Sequence, residues 1–281
     1  MGLFEHIEIE IPHETGLDPI VADQFRNEAA SFHQSGIELL QRGYVSQAAD
    51  MLERALGFRE HDFQLWIDAI EMLVRADKLE RAEARSHEAL QNYRRTAPLF
   101  AAHALVLAHR GQFGDALGHV QVVFDHARRG THWYAHAIRG EILLRQDKTN
   151  RGEATYCFDQ AMDGQKNPWR AALIAAWAFL DAELPVFAAA AAAEVAHWSP
   201  RACIGWLLLA KCFEQLRLYE QAQFYYGCVL ELEPNHPAGL RGRQSAKAAR
   251  YGLLSLFRRE NLKGRWRTAY ERALQQTGRR P

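Results

Sequence analysis

The stretch "LYEQAQFYYGCVLELEP", Leu218–Pro234, decides how the chain is read. Its tyrosines, Cys228 and glutamates could line a reactive pocket, or they could be one wall of a packed helix. The choice turns on whether the stretch is unique, and it is not. Ala222 closes the segment "LRLYEQA". Comparable segments close on Ala48 ("RGYVSQA"), Ala82 ("ADKLERA"), Ala116 ("RGQFGDA"), Ala154 ("TNRGEA") and Ala188 ("AELPVFA"), at intervals of 34, 34, 38, 34 and 34 residues. A register held over five intervals marks an internal repeat. As one repeated helix, the opening stretch spreads Tyr225, Cys228 and its glutamates over different faces, so they lose their claim as a catalytic cluster.

Each unit follows one plan. An apolar helical segment such as "FQLWIDAIEMLVRA" comes first, then a turn rich in Gly, Asp or Lys. A second helix begins near the marker alanine, and a polar break ends the unit. The breaks carry Pro98, Pro168, Pro200, Pro234 and Pro237, which cannot continue a helix. No strand alternation occurs between Asp18 and Gln276. The four extra residues of the long interval are expected in the turn of "LLRQDKTNRGEA".

These residues carry a resemblance to the tetratricopeptide-repeat (TPR) family, with its pattern W-x2-L-G-x2-Y, then A-x3-F, then P. The last full unit reads Trp206, Leu209, Ala210, Phe213, Ala222, Tyr226 and Pro234; the first has Phe32, Gly36, Leu39, Ala48, Leu52 and Ala55. In the second unit Ile70 stands at the small position and Ser86 at the aromatic one. Small residues at Gly36, Ala104, Gly140, Ala176 and Ala210 let paired helices approach, and large residues fill the gaps. The expected fold is all-α: a right-handed α-solenoid of about six TPR helix pairs with a C-terminal capping segment. Residues 1–18 are read as an extended arm. The superhelix spans 19–236, with repeats near 29–62, 63–96, 97–130, 133–168, 169–202 and 203–236. Residues 237–281 form a capping helix and basic tail. The alanine run in "FAAAAAAAEV" permits a close helix contact and offers no groups to a cofactor.

Charge is balanced overall, with 34 Lys+Arg and 34 Asp+Glu, so the whole chain favours neither polyanion nor cation. The balance is uneven along the sequence. From Arg241 onward only Glu260 and Glu271 offset the basic residues, whereas the first thirty residues hold Arg26 as their one base. Cys157, Cys203, Cys212 and Cys228 form no CxxC, which fits reduced thiols in a cytoplasmic protein. The N-terminus "MGLFEHIEIEIPHE" lacks the basic and apolar regions of a signal peptide. "LFAAHALVLAH" is too short to span a bilayer and is interrupted by His103 and His109.

At the ends, Phe4, Ile7, Ile9 and Ile11 alternate with polar residues. The segment is either an arm laid on the first helices or a strand that pairs with another chain in self-association. In the tail, Arg258, Arg259, Lys263, Arg265 and Arg267 surround Phe257 and Trp266. This is either a solvated cap or a patch for nucleic acid or an anionic membrane.

Catalysis is not expected. There is no P-loop, no G-x-S-x-G and no G-x-G-x-x-G, and no cofactor is implied. His132 and His136, with His119 and His126, have metal-compatible spacing but no fixed partner ligand. The resemblance implies instead a concave groove lined by the first helices. At its inward register positions stand Gln64, Ile67, Glu71, Glu141, Arg170, Leu173, Trp177, Lys211, Glu214 and Arg241. A Lys/Asn/Lys/Arg clamp for the tails of Hsp70 or Hsp90 is not expected, because His33, Ile37, Ile67, Glu71 and Ala101 occupy the corresponding places. The implied function is an adaptor or chaperone-like scaffold that binds a protein or peptide. The alternatives are a basic-tailed tether for nucleic acid or membrane, and a regulatory subunit of an enzyme assembly.

Overall fold

The computed structural model of the protein describes residues 19–58, 62–93, 96–126 and 133–251. They form thirteen α-helices, with no strand among the described residues. In order these are α1 (Pro19–Gln41), α2 (Val45–Leu56), α3 (Phe63–Arg75), α4 (Leu79–Asn92), α5 (Ala97–His109), α6 (Phe113–His126), α7 (Trp133–Gln146), α8 (Arg151–Met162), α9 (Trp169–Asp181), α10 (Pro185–Trp198), α11 (Cys203–Gln215), α12 (Tyr219–Leu232) and α13 (Pro237–Tyr251). The N-terminal arm and the basic tail residues Arg258, Arg259, Lys263, Arg265 and Arg267 lie outside the described residues.

The chain divides into two compact units, residues 1–40 with 44–138 and residues 41–43 with 139–281. In the first, α3 packs on α2, α4 and α5, and α5 on α6. In the second, α9 packs on α8, α10 and α11, while α11 also packs on α10, α12 and α13. Helix α13 lies on α11 and α12 and turns Arg241, Arg243 and Lys247 to solvent, as a capping helix must.

Packing explains the repeat pattern. The marker residues Ala48, Ala82, Ala116, Ala154, Ala188 and Ala222 are all fully buried. Four residues after the marker sits the filler. A Cβ on Gly36 would fall 2.7 Å from the Leu52 side chain, and one on Gly140 would fall 2.8 Å from the Phe158 ring. The alanine-rich α10 also meets α11 closely: a Cβ on Gly205 would be 2.9 Å from the backbone nitrogen of Ala196.

The last filler, Tyr226, points onward into the cap. A Cβ on Gly242 of α13 would run into its ring, which is buried and held by a 2.9 Å hydrogen bond from the Tyr226 hydroxyl to Glu214. Gly242→Ala is therefore expected to destabilise the cap by about 2 kcal/mol, overpacking outweighing the helix propensity gained. Gly227→Ala, where a Cβ meets nothing, is expected to gain up to about 1 kcal/mol. Urea denaturation of the two variants checks the opposite signs.

The helix-pair turns share one device. The second residue after the first helix takes positive φ in five pairs: Gly43 (87°), Asp77 (58°), Gly111 (80°), Glu183 (58°) and Arg217 (58°). The next N–H then reaches back to the helix, as in Lys78 N to Leu73 O at 2.9 Å and Leu218 N to Phe213 O at 2.8 Å. This is a Schellman ending, in which a left-handed residue satisfies the last carbonyls. Arg217→Gly and Glu183→Gly are each expected to raise stability by about 0.5–1 kcal/mol, since the left-handed region costs L-residues more than glycine loses in chain entropy. Asp77→Gly is expected to gain less, because Asp tolerates that region. Thermal denaturation of the three variants checks the order.

The fourth pair departs from this plan, and the expected placement of its extra residues is half right. Helix α7 starts at Trp133, 36 residues after α5 starts at Ala97, so two of the four arrive before it. The other two lengthen α7 and its turn by one residue each. There Asp147 is extended and accepts a 2.8 Å bond from Thr149 N, opening a 3-10 turn over Lys148–Asn150 in place of the left-handed residue.

Candidate partner-binding face

The first-helix register positions differ sharply in exposure. Ile67 (3%), Glu71 (0%), Glu141 (0%) and Leu173 (0%) are buried. Gln64, Arg170, Trp177 and Glu214 are half-buried, and Lys211 and Arg241 are exposed. For Ile67, Glu71 and Leu173 the burial follows from direct packing of first helix on first helix, α3 on α5 and α9 on α11, which covers positions that a more open stack would leave in a groove.

In the first unit the polar residues near these positions satisfy one another. Buried Asp68 meets His33 Nε2 at 2.8 Å and accepts from Gln64 Nε2 at 2.9 Å. In the second unit Arg145 spans buried Glu141 (3.5 Å) and Asp181 (3.0 Å), linking α7 to α9. Burial of a carboxylate is sustained by such a partner.

A different situation holds on α9, α11 and α13, whose register positions carry Arg170, Trp177, Lys211, Glu214 and Arg241. The Arg170 guanidinium lies 5.8 Å above the ring of Trp169. Glu214, the one carboxylate of the set, is engaged by the Tyr226 hydroxyl. Three cations with a half-buried indole therefore dominate this strip.

Three histidines invisible as a motif meet in the first unit. His103 of α5 lies 4.9 Å from His87 of α4 and 4.9 Å from His119 of α6, ring centre to ring centre. Its Nδ1 shares a 2.9 Å hydrogen bond with Ser86 Oγ, and His119 stacks on Phe100. Burial, with the neighbouring imidazoles, pulls the His103 pKa down to about 4; burial also lowers that of His119, opposed by Asp115. His136 meets Phe124 instead, its ring tilted at 48° with centres 4.7 Å apart, so the structure takes His119 and His136 to separate partners. His132 and the His126 side chain lie outside the described residues. Among the described residues no group of three or more His, Cys, Asp or Glu could hold a metal ion.

The thiols are quiet. Cys157, Cys203 and Cys212 are buried, and all four cysteines are free. Burial pushes the Cys212 thiol up to about 12 and raises the other three, which disfavours the thiolate that a nucleophile needs. No described helix is long and apolar enough to cross a membrane.

The second helices carry a feature that attention to the first helices misses. A cavity of about 500 Å³ opens beside the C-terminal ends of α8 and α10, lined by Asp159, Met162, Asp163, Gln165, Glu194 and Trp198 among others. Trp198, in its wall, is a large exposed side chain, 39% exposed.

No protein-family model and no curated protein matches the chain. Similarity to solved structures lies in the fold. PilW, a type IV pilus biogenesis factor, is 15% identical, with 76% of this chain and 97% of PilW covered and a TM-score of 0.47. The APC/C assembly Cut9–Hcn1 is 13% identical over 81% of this chain and 44% of that one, with a TM-score of 0.45, so this chain spans less than half of it. A tetratricopeptide-repeat protein from Parabacteroides merdae is 13% identical over 88% of this chain and 99% of its own, with a TM-score of 0.40. The helix pairs, their shared turn and the alternation of small and large residues in register give this chain an all-α helix-pair repeat fold, the fold expected from its resemblance to tetratricopeptide-repeat proteins.

Proposed function

We propose that the chain is a non-catalytic interaction scaffold that holds an extended, acidic segment of a partner protein along the first-helix face of α9, α11 and α13. The observation that carries this reading is the strip of Arg170, Lys211 and Arg241 around Trp177, whose one carboxylate, Glu214, is already engaged by Tyr226. Indole and guanidinium groups are the usual anchors of such interfaces, and cations of one sign steer and select an oppositely charged segment. Adaptor or chaperone-like work follows from holding another chain. Four free cysteines support a reducing compartment such as the cytoplasm.

The test is fluorescence anisotropy with matched acidic and basic peptides. Acidic peptides are expected to bind more tightly and more weakly as salt rises. Trp177→Ala with Arg170→Glu is expected to weaken acidic-peptide binding at least about tenfold. Equal binding of both peptide classes, or unchanged binding by the double variant, overturns the assignment.

A further inference from the structure

We infer that the turn at Arg42 and Gly43 is a built-in plug on the partner-binding face of α11, and that a partner segment displaces it on binding. The inference rests on the first-helix face being the place where a partner is held. Ile204, Leu207, Lys211 and Glu214 are spaced by three, four and three residues on α11, so they share one face of that helix. Lys211 is exposed and Glu214 half-buried, whereas Ile204 and Leu207 are buried. Gly43 lies on both of the buried pair. A Cβ built on it would run into the Leu207 side chain and stand 3.9 Å from that of Ile204. The apolar end of the face is thus already covered by the chain itself.

Residues 41–43 come from far upstream, yet they belong to the second unit. Polar contacts fix them there. The Arg42 guanidinium takes both oxygens of Glu233, the C-cap of α12, with Nη2 at 2.7 Å and Nε at 3.2 Å. Buried His236 holds the backbone of the same turn. Its Nδ1 accepts from the Gly239 N–H at 3.1 Å, so the ring proton sits on Nε2, which donates to the Arg42 carbonyl at 2.8 Å. Glycine is needed at 43 for a reason that other turns lack. Asp77, Glu183 and Arg217 carry side chains at the equivalent left-handed place, but a side chain at 43 would meet Leu207. An exposed ion pair and a single hydrogen bond are individually weak, so the plug is displaceable. Being tethered, it opposes a partner at high effective concentration, and the partner's affinity is reduced by the fraction of molecules that are closed.

Two measurements on the full-length protein test it: anisotropy with the acidic and basic peptides, and amide hydrogen exchange over residues 203–210. Gly43→Asn is expected to bind the acidic peptide at least about threefold more tightly than Gly111→Asn, with faster exchange over 203–210. Both variants place Asn at a left-handed glycine, which Asn tolerates, but a Cβ on Gly111 meets nothing. A general cost of the substitution therefore affects both alike. Glu233→Gln with His236→Asn is expected to act like Gly43→Asn, since Asn still accepts from the Gly239 N–H at the start of α13. Arg42→Glu is expected to speed the exchange, and adding Glu233→Arg to slow it again, a rescue that misfolding does not produce. Acidic preference with equal affinity in Gly43→Asn and Gly111→Asn overturns the plug and leaves the face standing. Equal binding of acidic and basic peptides, by the unaltered protein and the released variants alike, overturns the face and the plug with it. Exchange over 203–210 that slows as protein concentration rises also overturns the plug, by assigning the turn to a second copy.

Discussion

Phe158→Ala is expected to lower the stability of the second unit by about 3–5 kcal/mol, the range for removing a buried phenyl ring. Phe158 is 2% exposed and lies between α7 and α9: its ring touches Gly140 on one side, and Phe179 meets it edge-on at 5.2 Å on the other. Few alternative atoms can collapse into the space it leaves, because Phe179 is itself tied to Phe187 at 5.4 Å. Adding Gly140→Ala supplies a methyl where the ring was. Alone that change crowds Phe158, with contacts of 2.8 and 2.9 Å. In the double variant it fills part of the void. A double-mutant cycle by urea denaturation is therefore expected to show the pair destabilised less than the sum of the singles. A loss below about 1 kcal/mol for Phe158→Ala, or strict additivity, contradicts this packing.

The histidine group in the first unit is expected to make the protein acid-sensitive by up to about 3 kcal/mol between pH 6.5 and pH 4. Unfolded, the His103 imidazole takes its proton near 6.5; folded, it does so only at about 4. Between those values the unfolded chain binds more protons, so stability falls as pH falls. His119, lowered in the same direction, adds to the slope. His103→Gln keeps a hydrogen-bonding side chain for Ser86 Oγ and removes the titration. Its urea midpoint is expected to vary much less than that of the unaltered protein between pH 7 and pH 4.5. Parallel pH curves for the two proteins would dismiss the histidines as the cause.

The repeat was legible because the residues that make it are local in sequence and fixed in spacing. Ala222 and Tyr226 follow from helix periodicity, and Pro234 from the break. Even the unit that departs most turns out to obey the same packing rule. Ile70 stands where Gly140 stands two units later, and Ser86 where Phe158 stands. Both are buried, at 0% and 1%. A large residue at the small position is matched by a small one at the large position, so volume is conserved across the pair.

Exposure was not legible, because it depends on how neighbouring pairs lean together. Leu173 and Trp177 occupy equivalent register on α9, yet one is fully buried and the other only half-buried. His87, His103 and His119 sit on three successive helices, where their encounter depends on the helices' rotation and not on any motif. The cavity was hidden for another reason. Its Glu194 and Trp198 end a helix whose alanine run reads as featureless, and they gain meaning only beside Asp159 and Asp163 of α8.

The left-handed turn residue also bears on how such a chain can grow or shrink. Glu183-Leu184 and Arg217-Leu218 hold the same bend, with Leu184 at φ −109°, ψ 62° and Leu218 at φ −94°, ψ 67°. Splicing out residues 184–217 would join Glu183 to Leu218 and recreate the dipeptide Glu-Leu in the conformation it already has. Helix α9 would then meet α12, with Ala176 at the register position of Ala210, one alanine for another. The turn is thus a seam at which a whole repeat can be lost or duplicated without inventing a new loop. The 3-10 turn after α7 offers no such seam, so gain and loss by this route are confined to its two sides.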